Sequence, residues 1–170
     1  DLSFRFLEPE TYKRLAKMLD ERRLEREAFI AAAVDRLKSQ LAAQGIAADV
    51  YGRPKHIFSI WTKMRKKNVD FSQVYDVRAL RILVDEVRDC YSALGLVHQM
   101  WQSIPGEFDD YIAHPKGNNY RSLHTAVTAE DGRPLEIQIR TREMHEHAEL
   151  GVAAHWRYKE SGLSTSADAD

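Results

Sequence analysis

Apolar positions along the chain change period several times, and each change marks an element. Ile30, Val34, Leu37 and Leu41 recur at helical spacing inside a stretch that predicts one long helix from about Pro9 to Ala43. Pro9 suits a first helical turn and Gly45 a stop just past the end. Ile46 to Tyr51 predicts a short strand, and Pro54 to Lys67 a helix with Ile57, Ile60, Trp61 and Met64 as its apolar stripe. Val74 to Val84 contains a β-rich run, and Asp89 to Ser103 predicts a helix with Tyr91, Leu94, Val97, His98 and Trp101 on one side. Arg121 to Thr128 and Pro134 to Thr141 predict two strands around Glu130-Asp131-Gly132-Arg133, a turn with the Asp-Gly signature. Arg142 to about Lys159 reads as a helix, and Ser161 to Asp170 as a polar tail with little drive to fold. Strands and helices mix without regular βαβ alternation, which predicts an α+β fold, a mixed sheet with helices packed on it.

Composition narrows the classes. A chain of 170 residues with 44% hydrophobic and 30% charged residues is globular, one domain or one domain with an attached helix. Its 25 basic and 26 acidic residues leave a net charge of -1, which disfavours whole-surface attraction to nucleic acid or anionic lipid. Any anion site must come from local clustering. The single cysteine, Cys90, excludes an internal disulfide and fits a reducing compartment. No stretch has the length of an apolar membrane span. The opening Asp1-Leu2-Ser3-Phe4 is no signal peptide and lacks an initiator Met, so the chain reads as a piece of a longer protein. The expected division is a helical connector over 1–45, a catalytic domain over 46–160 and a flexible tail over 161–170. The charged run Asp20 to Glu27 reads as a solvated helix face.

Four stretches carry the chemistry. Tyr51 to Lys67 holds six Lys or Arg and no acidic residue. Lys55, Ser59 and Lys63 are spaced i, i+4, i+8, so about 12 Å along a helix separates the two lysines, a reach suited to a polyphosphate. Arg53 beside the helix start adds to that positive field. A solvated basic helix is the competing reading. In the second stretch Asp76 stands at the entry to an apolar strand, as a metal-binding carboxylate or as a cap, and Arg81 is a charge inside that strand. Five residues apart, the two face opposite ways on a regular strand, so a shared site requires Asp76 outside the strand or a bulge between them. The third stretch is loop-like, with Glu107, Asp109 and Asp110 close together, followed by Lys116, Asn118, Tyr120, Arg121 and His124. In the fourth, Leu135, Ile137 and Ile139 alternate with Glu136, Gln138 and Arg140; a cleft-facing Glu136 could bind a metal or accept a proton. The run Met144-His145-Glu146-His147-Ala148-Glu149 does not match H-E-x-x-H, because Glu149 stands where the second histidine would be; a structural or substrate-edge role is favoured over a zinc site.

Six motifs in order resemble the synthetase domain of RelA/SpoT-type (p)ppGpp synthetases: Tyr51-Gly-Arg-Pro-Lys-His-Ile, Val74-Tyr-Asp-Val-Arg-Ala-Leu-Arg81, Glu107-Phe-Asp-Asp-Tyr, Lys116-Gly-Asn-Asn-Tyr-Arg-Ser-Leu-His124, Glu136-Ile-Gln-Ile-Arg140 and Glu149-Leu-Gly-Val-Ala-Ala-His-Trp156. The likeness covers nearly the whole chain and is nearest the long, ribosome-associated type. It implies a nucleotidyltransferase-like mixed β-sheet flanked by helices in a bacterial, cytoplasmic enzyme of the stringent response. The implied reaction moves the β,γ-diphosphate of ATP to the 3′-hydroxyl of GDP or GTP, with Mg²⁺ as cofactor. By position, Arg53 and Arg81 resemble the pair that sandwiches adenine, and Lys55 and Lys63 the clamps on the ATP phosphates. Asp76 resembles the Mg²⁺ ligand, and Glu136 the carboxylate that helps hold it and activates the acceptor hydroxyl. Tyr120 resembles the tyrosine stacked on guanine, with Lys116, Asn118, His124 and Gln138 as further acceptor contacts. Ribosome and uncharged tRNA would be met only through regions of the full-length protein absent here.

Glu107-Phe108-Asp109-Asp110 resembles the acidic form of a family motif, which implies a dedicated synthetase. The family often shows Asn-Gly-Tyr where this chain has Asn118-Asn119-Tyr120; Asn tolerates a left-handed backbone, so the loop shape is expected to survive. Two other classes were weighed. Retention of Asp76 and Glu136 together argues against a catalytically silent nucleotide-binding domain, and the neutral overall charge against a basic-helix RNA-binding module.

Overall fold

Two helices, not one, open the chain. The computed structural model describes residues 8–53, 57–67 and 78–151. Helix α1 spans Pro9–Glu21 and α2 spans Arg23–Ala43, with a break at Arg22, whose N–H turns back to Asp20 O. The break falls in the charged run, where Leu24, 73% exposed, is the lone large apolar side chain and finds nothing to cover it. On either side the helices follow different neighbours. Leu15 of α1 packs with Ile60 of α3, which spans Ile57–Lys67. Ala33, Leu37 and Leu41 of α2 join the same core as the sheet.

The strands are β1 Ala48–Gly52, β2 Ala79–Val84, β3 Gln102–Ser103, β4 Asp109–Asp110, β5 Leu123–Thr128 and β6 Pro134–Thr141. They form one mixed sheet in the order β1-β2-β6-β5-β3, with β4 also paired to β5. The β2–β6 pair is parallel and the others antiparallel. Leu80, Ile82 and Val84 of β2 and Leu135, Ile137 and Ile139 of β6 all point to one side, beneath α2 and the helix α4, Val87–Met100. That side is dry. The opposite side carries Arg81, Glu136, Gln138 and Arg140, so the predicted alternation of β6 holds along its length.

Two sequence expectations shift. The buried face of α4 is Cys90, Ala93, Leu96 and Val97, whereas Tyr91 is 39% exposed and its hydroxyl donates to Asp110 Oδ2 at 2.9 Å. Small Cys90 and Ala93 let the helix lie close on the sheet, so its larger residues flank the contact instead of filling it. The helix also ends at Met100, and Gln102–Ser103 pairs with β5. Helix α5 starts at 142, where Thr141 Oγ1 accepts the Met144 N–H at 3.1 Å, and continues to residue 151. Gly45 has φ 73°, as a stop after α2 requires. A Cβ on Gly52 would sit 2.9 Å from Ile30 Cγ2, so Gly52→Ala should cost about 1–2 kcal/mol in chemical denaturation; an unchanged midpoint would show that α2 gives way there. No helix among the described residues is long and apolar enough to cross a membrane.

Candidate functional site

Strand register alone gathers most of the site. Tyr51 pairs with Arg81, Arg81 with Gln138, Gln138 with His124 and His124 with Asp109. Paired residues share a face, so five strands each send one polar side chain into a single row, roughly 19 Å across at ordinary strand spacing. The next rung holds Ala79, Glu136 and Ala126. Glu136 therefore stands between two methyl groups. Arg53 leaves β1 beside that rung, its N–H bonded to Ala79 O at 2.8 Å.

Hydrogen-bond polarity along the row is determined by its one permanent donor. Arg81 Nε donates to Gln138 Oε1 at 2.5 Å, which turns the Gln138 amino group toward Tyr120. Gln138 Nε2 then donates to the Tyr120 hydroxyl at 2.5 Å, and that hydroxyl donates to His124 Nε2 at 2.8 Å. With the Tyr120 hydroxyl donating, His124 Nε2 accepts, the arrangement of a neutral ring with its proton on Nδ1. Burial, with Arg53 and Lys116 nearby, pushes the His124 pKa down to about 4, against smaller opposing pulls from Asp109 and Glu136. Tyr111 packs edge-on to both rings, 5.2 Å from His124 and 6.3 Å from Tyr120, and Lys116 Nζ lies 4.4 Å over Tyr111.

This depressed pKa makes stability depend on acid. Between the ordinary value of 6.5 and about 4, the unfolded chain binds a proton that folded His124 refuses, so stability falls as pH drops through that window. Burial lowers His98 and His145 as well and adds in the same direction. His124→Gln should flatten the dependence of unfolding free energy on pH by up to about 1.4 kcal/mol per pH unit, read from urea titrations; an unaltered slope would contradict the neutral ring.

A cleft of about 730 Å³ opens over the Arg81 and Gln138 part of the row, bounded by Arg53, Arg81, Tyr120, Gln138 and Arg140 from the sheet side. Gly117 and Asn118 form one rim; His147, Ala148, Glu149 and Gly151 of α5 form the other. Asn118 and Asn119 have φ of 63° and 55°, so both asparagines take the left-handed conformation that this residue type tolerates. His147 Nε2 donates to Asn118 O at 3.4 Å and ties the two rims.

The acidic stretch is split by its own strand. Asp109 pairs with His124 and faces the row. Asp110 faces α4 and accepts from Ile112 N, Ala113 N and Tyr91 Oη at 2.9–3.0 Å. Partial burial would raise the Asp110 carboxyl, but the hydrogen bonds from Ala113, Tyr91 and Ile112 hold it below its ordinary value. It is a turn anchor. Phe108, just before Asp109, is 45% exposed, with its ring edge-on to His98.

Sequence reasoning left Arg140 without a role, although it lines the cleft, and His147 and Glu149 stand at the cleft rim as the substrate-edge reading of their run expects. Arg140 is 2% exposed, and desolvation together with Arg81 lowers its pKa. Its Nη2 donates to His145 Nδ1 at 2.6 Å, which gives His145 a structural partner. The alternation that flagged Glu136 and Gln138 also contains Arg140 and was sufficient to find it. Lys55 and Asp76 lie outside the described residues, as does the side chain of Lys63. β2 begins at Ala79, and the expected relation between Asp76 and Arg81 lies outside the described residues. Among the described residues no three His, Cys, Asp or Glu side chains gather into a metal cluster.

The profile of the region found in RelA / SpoT proteins matches residues 52–163. The chain belongs to the RelA/SpoT family. It is 55% identical over 167 residues to the GTP pyrophosphokinase of Escherichia coli strain K12, covering 98% of this chain and 22% of that protein. Against the GTP pyrophosphokinase of Streptomyces antibioticus the identity is 47% over 164 residues, 96% of this chain and 20% of that protein. The chain thus spans about a fifth of the length of these relatives. The crystal structure of small alarmone synthetase 1 from Bacillus subtilis superposes with a TM-score of 0.61 at 25% identity, over 80% of this chain and 78% of that one. The mixed sheet flanked by helices is therefore the alarmone-synthetase fold. In this RelA/SpoT chain every residue that lines the cleft falls inside the matched region.

Proposed function

We propose that the chain transfers the β,γ-diphosphate of ATP to the 3′-hydroxyl of GDP or GTP, giving ppGpp or pppGpp and AMP. The observation that carries this reading is the row of Arg81, Gln138 and His124, with Tyr120 bonded across it, beneath one cleft in a chain whose curated relatives are GTP pyrophosphokinases. Arg53 and Arg81, both lining that cleft, suit a base held between guanidinium planes. Tyr120 offers a ring for stacking the acceptor base, with Lys116, Asn118, His124 and Gln138 beside it; Lys55 and Lys63 are assigned to the ATP phosphates.

Glu136 is the proposed base. Glu136 is half-buried between the small Ala79 and Ala126 of the flanking strands, and its carboxylate suits a hydrated Mg²⁺, an ion that prefers carboxylates and water. Asp76 is the proposed second ligand. Three residues of chain, at most about 11 Å, separate it from Ala79, the register partner of Glu136. When bound, the ion would neutralise charge on the diphosphate. The acceptor 3′ oxygen forms a bond to the β-phosphorus, the bond to the oxygen bridging the α-phosphorus breaks, and AMP leaves. The hydroxyl proton passes to the Glu136 carboxylate.

The direct test incubates the chain with ATP, GDP and Mg²⁺ and separates the nucleotides. AMP and a guanosine carrying diphosphates at both 5′ and 3′ are expected in equal amounts; ADP alone, or no product, would overturn the proposal. Tyr120→Ala should raise the KM for the guanine nucleotide about tenfold, the value of one lost stacking contact, and leave the KM for ATP in place. A change confined to ATP would refute the assignment of Tyr120.

A further inference from the structure

We infer that Arg78 is a positioning residue for Glu136, gripping β6 through its main chain and the turn before β6 through its side chain. Arg78 is 2% exposed and directly precedes β2. Its carbonyl accepts the Glu136 N–H at 3.0 Å, which closes the β2–β6 ladder at the end that carries Glu136. Its guanidinium reaches elsewhere. Nη1 lies 2.6 Å from Asp131 Oδ2 in the β5–β6 turn, and the guanidinium carbon stands 3.6 Å over the ring of Phe29 in α2. One residue thus links α2, the start of β2, the hairpin turn and the backbone of Glu136.

The chemistry of the tie argues for placement over stability. An ion pair with one buried member is a weak source of stability, because the cost of desolvating the Arg78 guanidinium offsets the attraction; an apolar side chain of similar volume would fill the space as well. The guanidinium instead imposes direction, since its planar face and its donors each accept one geometry. Neighbouring ties from the turn to α2, Arg133 to Glu25 at 3.2 Å and Arg36 to Glu130, are more exposed and correspondingly weak. Further along the strands, Arg81 holds Gln138 independently. Loosening Arg78 should therefore displace Glu136 while leaving the nucleotide-contacting row in register. The kinetic half of this inference rests on the role proposed above for Glu136; the structural half does not.

Arg78→Met keeps the bulk against Phe29 and leaves Asp131 on the solvent side, 37% exposed. Amide hydrogen exchange on the 170-residue chain is the first readout. Protection of the Glu136 N–H should fall about tenfold or more while that of Ile139, deeper in β6, changes little. Steady-state rates are the second: kcat should fall roughly 10- to 100-fold, as for a misplacement near 1 Å, with both KM values within about twofold. Arg78→Lys should recover only part of the loss. Unchanged protection at Glu136 overturns the inference, and so does an unchanged kcat alongside lost protection. Should Arg78→Met fail to fold, Asp131→Asn makes the same test from the exposed end of the tie. A wild-type chain without turnover would sink the proposed reaction alone, because exchange at Glu136 still decides whether Arg78 holds it.

Discussion

Glu136→Gln should leave the chain folded and slow diphosphate transfer at least about a thousandfold, close to 4 kcal/mol of barrier. The amide keeps the shape of the carboxylate but accepts no proton and makes a poor ligand for a hard cation. A ribose hydroxyl near neutral pH is a weak nucleophile, so loss of its base removes the step that activates it. Among the described residues the register partners of Glu136 on the adjacent strands are Ala79 and Ala126, neither of which can accept a proton. Asp76→Asn should produce a loss of the same order if both carboxylates hold one ion. Initial rates of AMP formation, with thermal melting as the control for folding, check both variants. Rates within tenfold of wild type would remove the carboxylates from the chemistry.

Gln138→Leu has the second largest expected effect, about a hundredfold in kcat/KM, and its signature is that both substrates suffer. Gln138 is the joint of the row. Its Oε1 receives Arg81, and its Nε2 serves Tyr120 and lies 3.3 Å from His124. Leucine fills the volume but leaves partners on both sides without their shared group, each at a cost of about 1–3 kcal/mol where water cannot replace it. Arg81 retains only the longer contact to the Tyr51 hydroxyl, at 3.4 Å. Since Arg81 is assigned to ATP and Tyr120 and His124 to the acceptor, KM should rise for both nucleotides. Tyr120→Ala, by contrast, should touch the acceptor alone. A Gln138→Leu enzyme impaired toward a single substrate would break the proposed link between the two halves of the site.

What the sequence made legible depended on how strongly burial constrains each element. β6 reads clearly because one face is apolar and the other polar, so Leu135, Ile137 and Ile139 announce their side and place Glu136 and Gln138 opposite. The same logic identified β5 and the Asp-Gly turn, where Gly132 has φ 79°. α4 misled because Cys90 and Ala93 contribute by being small, and size is invisible to a pattern that looks for large apolar residues. The break at Arg22 has no glycine or proline to mark it; it exists because α1 and α2 bury their faces against different partners. Motif order singled out Arg81, Tyr120, His124 and Gln138 one by one. Their arrangement into a hydrogen-bonded row required the register of four strands, which no local pattern contains. Arg140 was legible in the same β6 alternation, and the place of His147 at the cleft rim fits the substrate-edge role read from its run.

The account stands or falls on whether Asp76 and Glu136 hold the same ion above the cleft. Crystals of the chain grown with Mn²⁺ and a non-hydrolysable ATP analogue test that directly through the anomalous signal of the metal. The expected result is one peak about 2.1–2.2 Å from carboxylate oxygens of both residues, with analogue phosphate completing the shell. A peak held by one carboxylate alone, or the two side chains on opposite faces of the sheet, would contradict it.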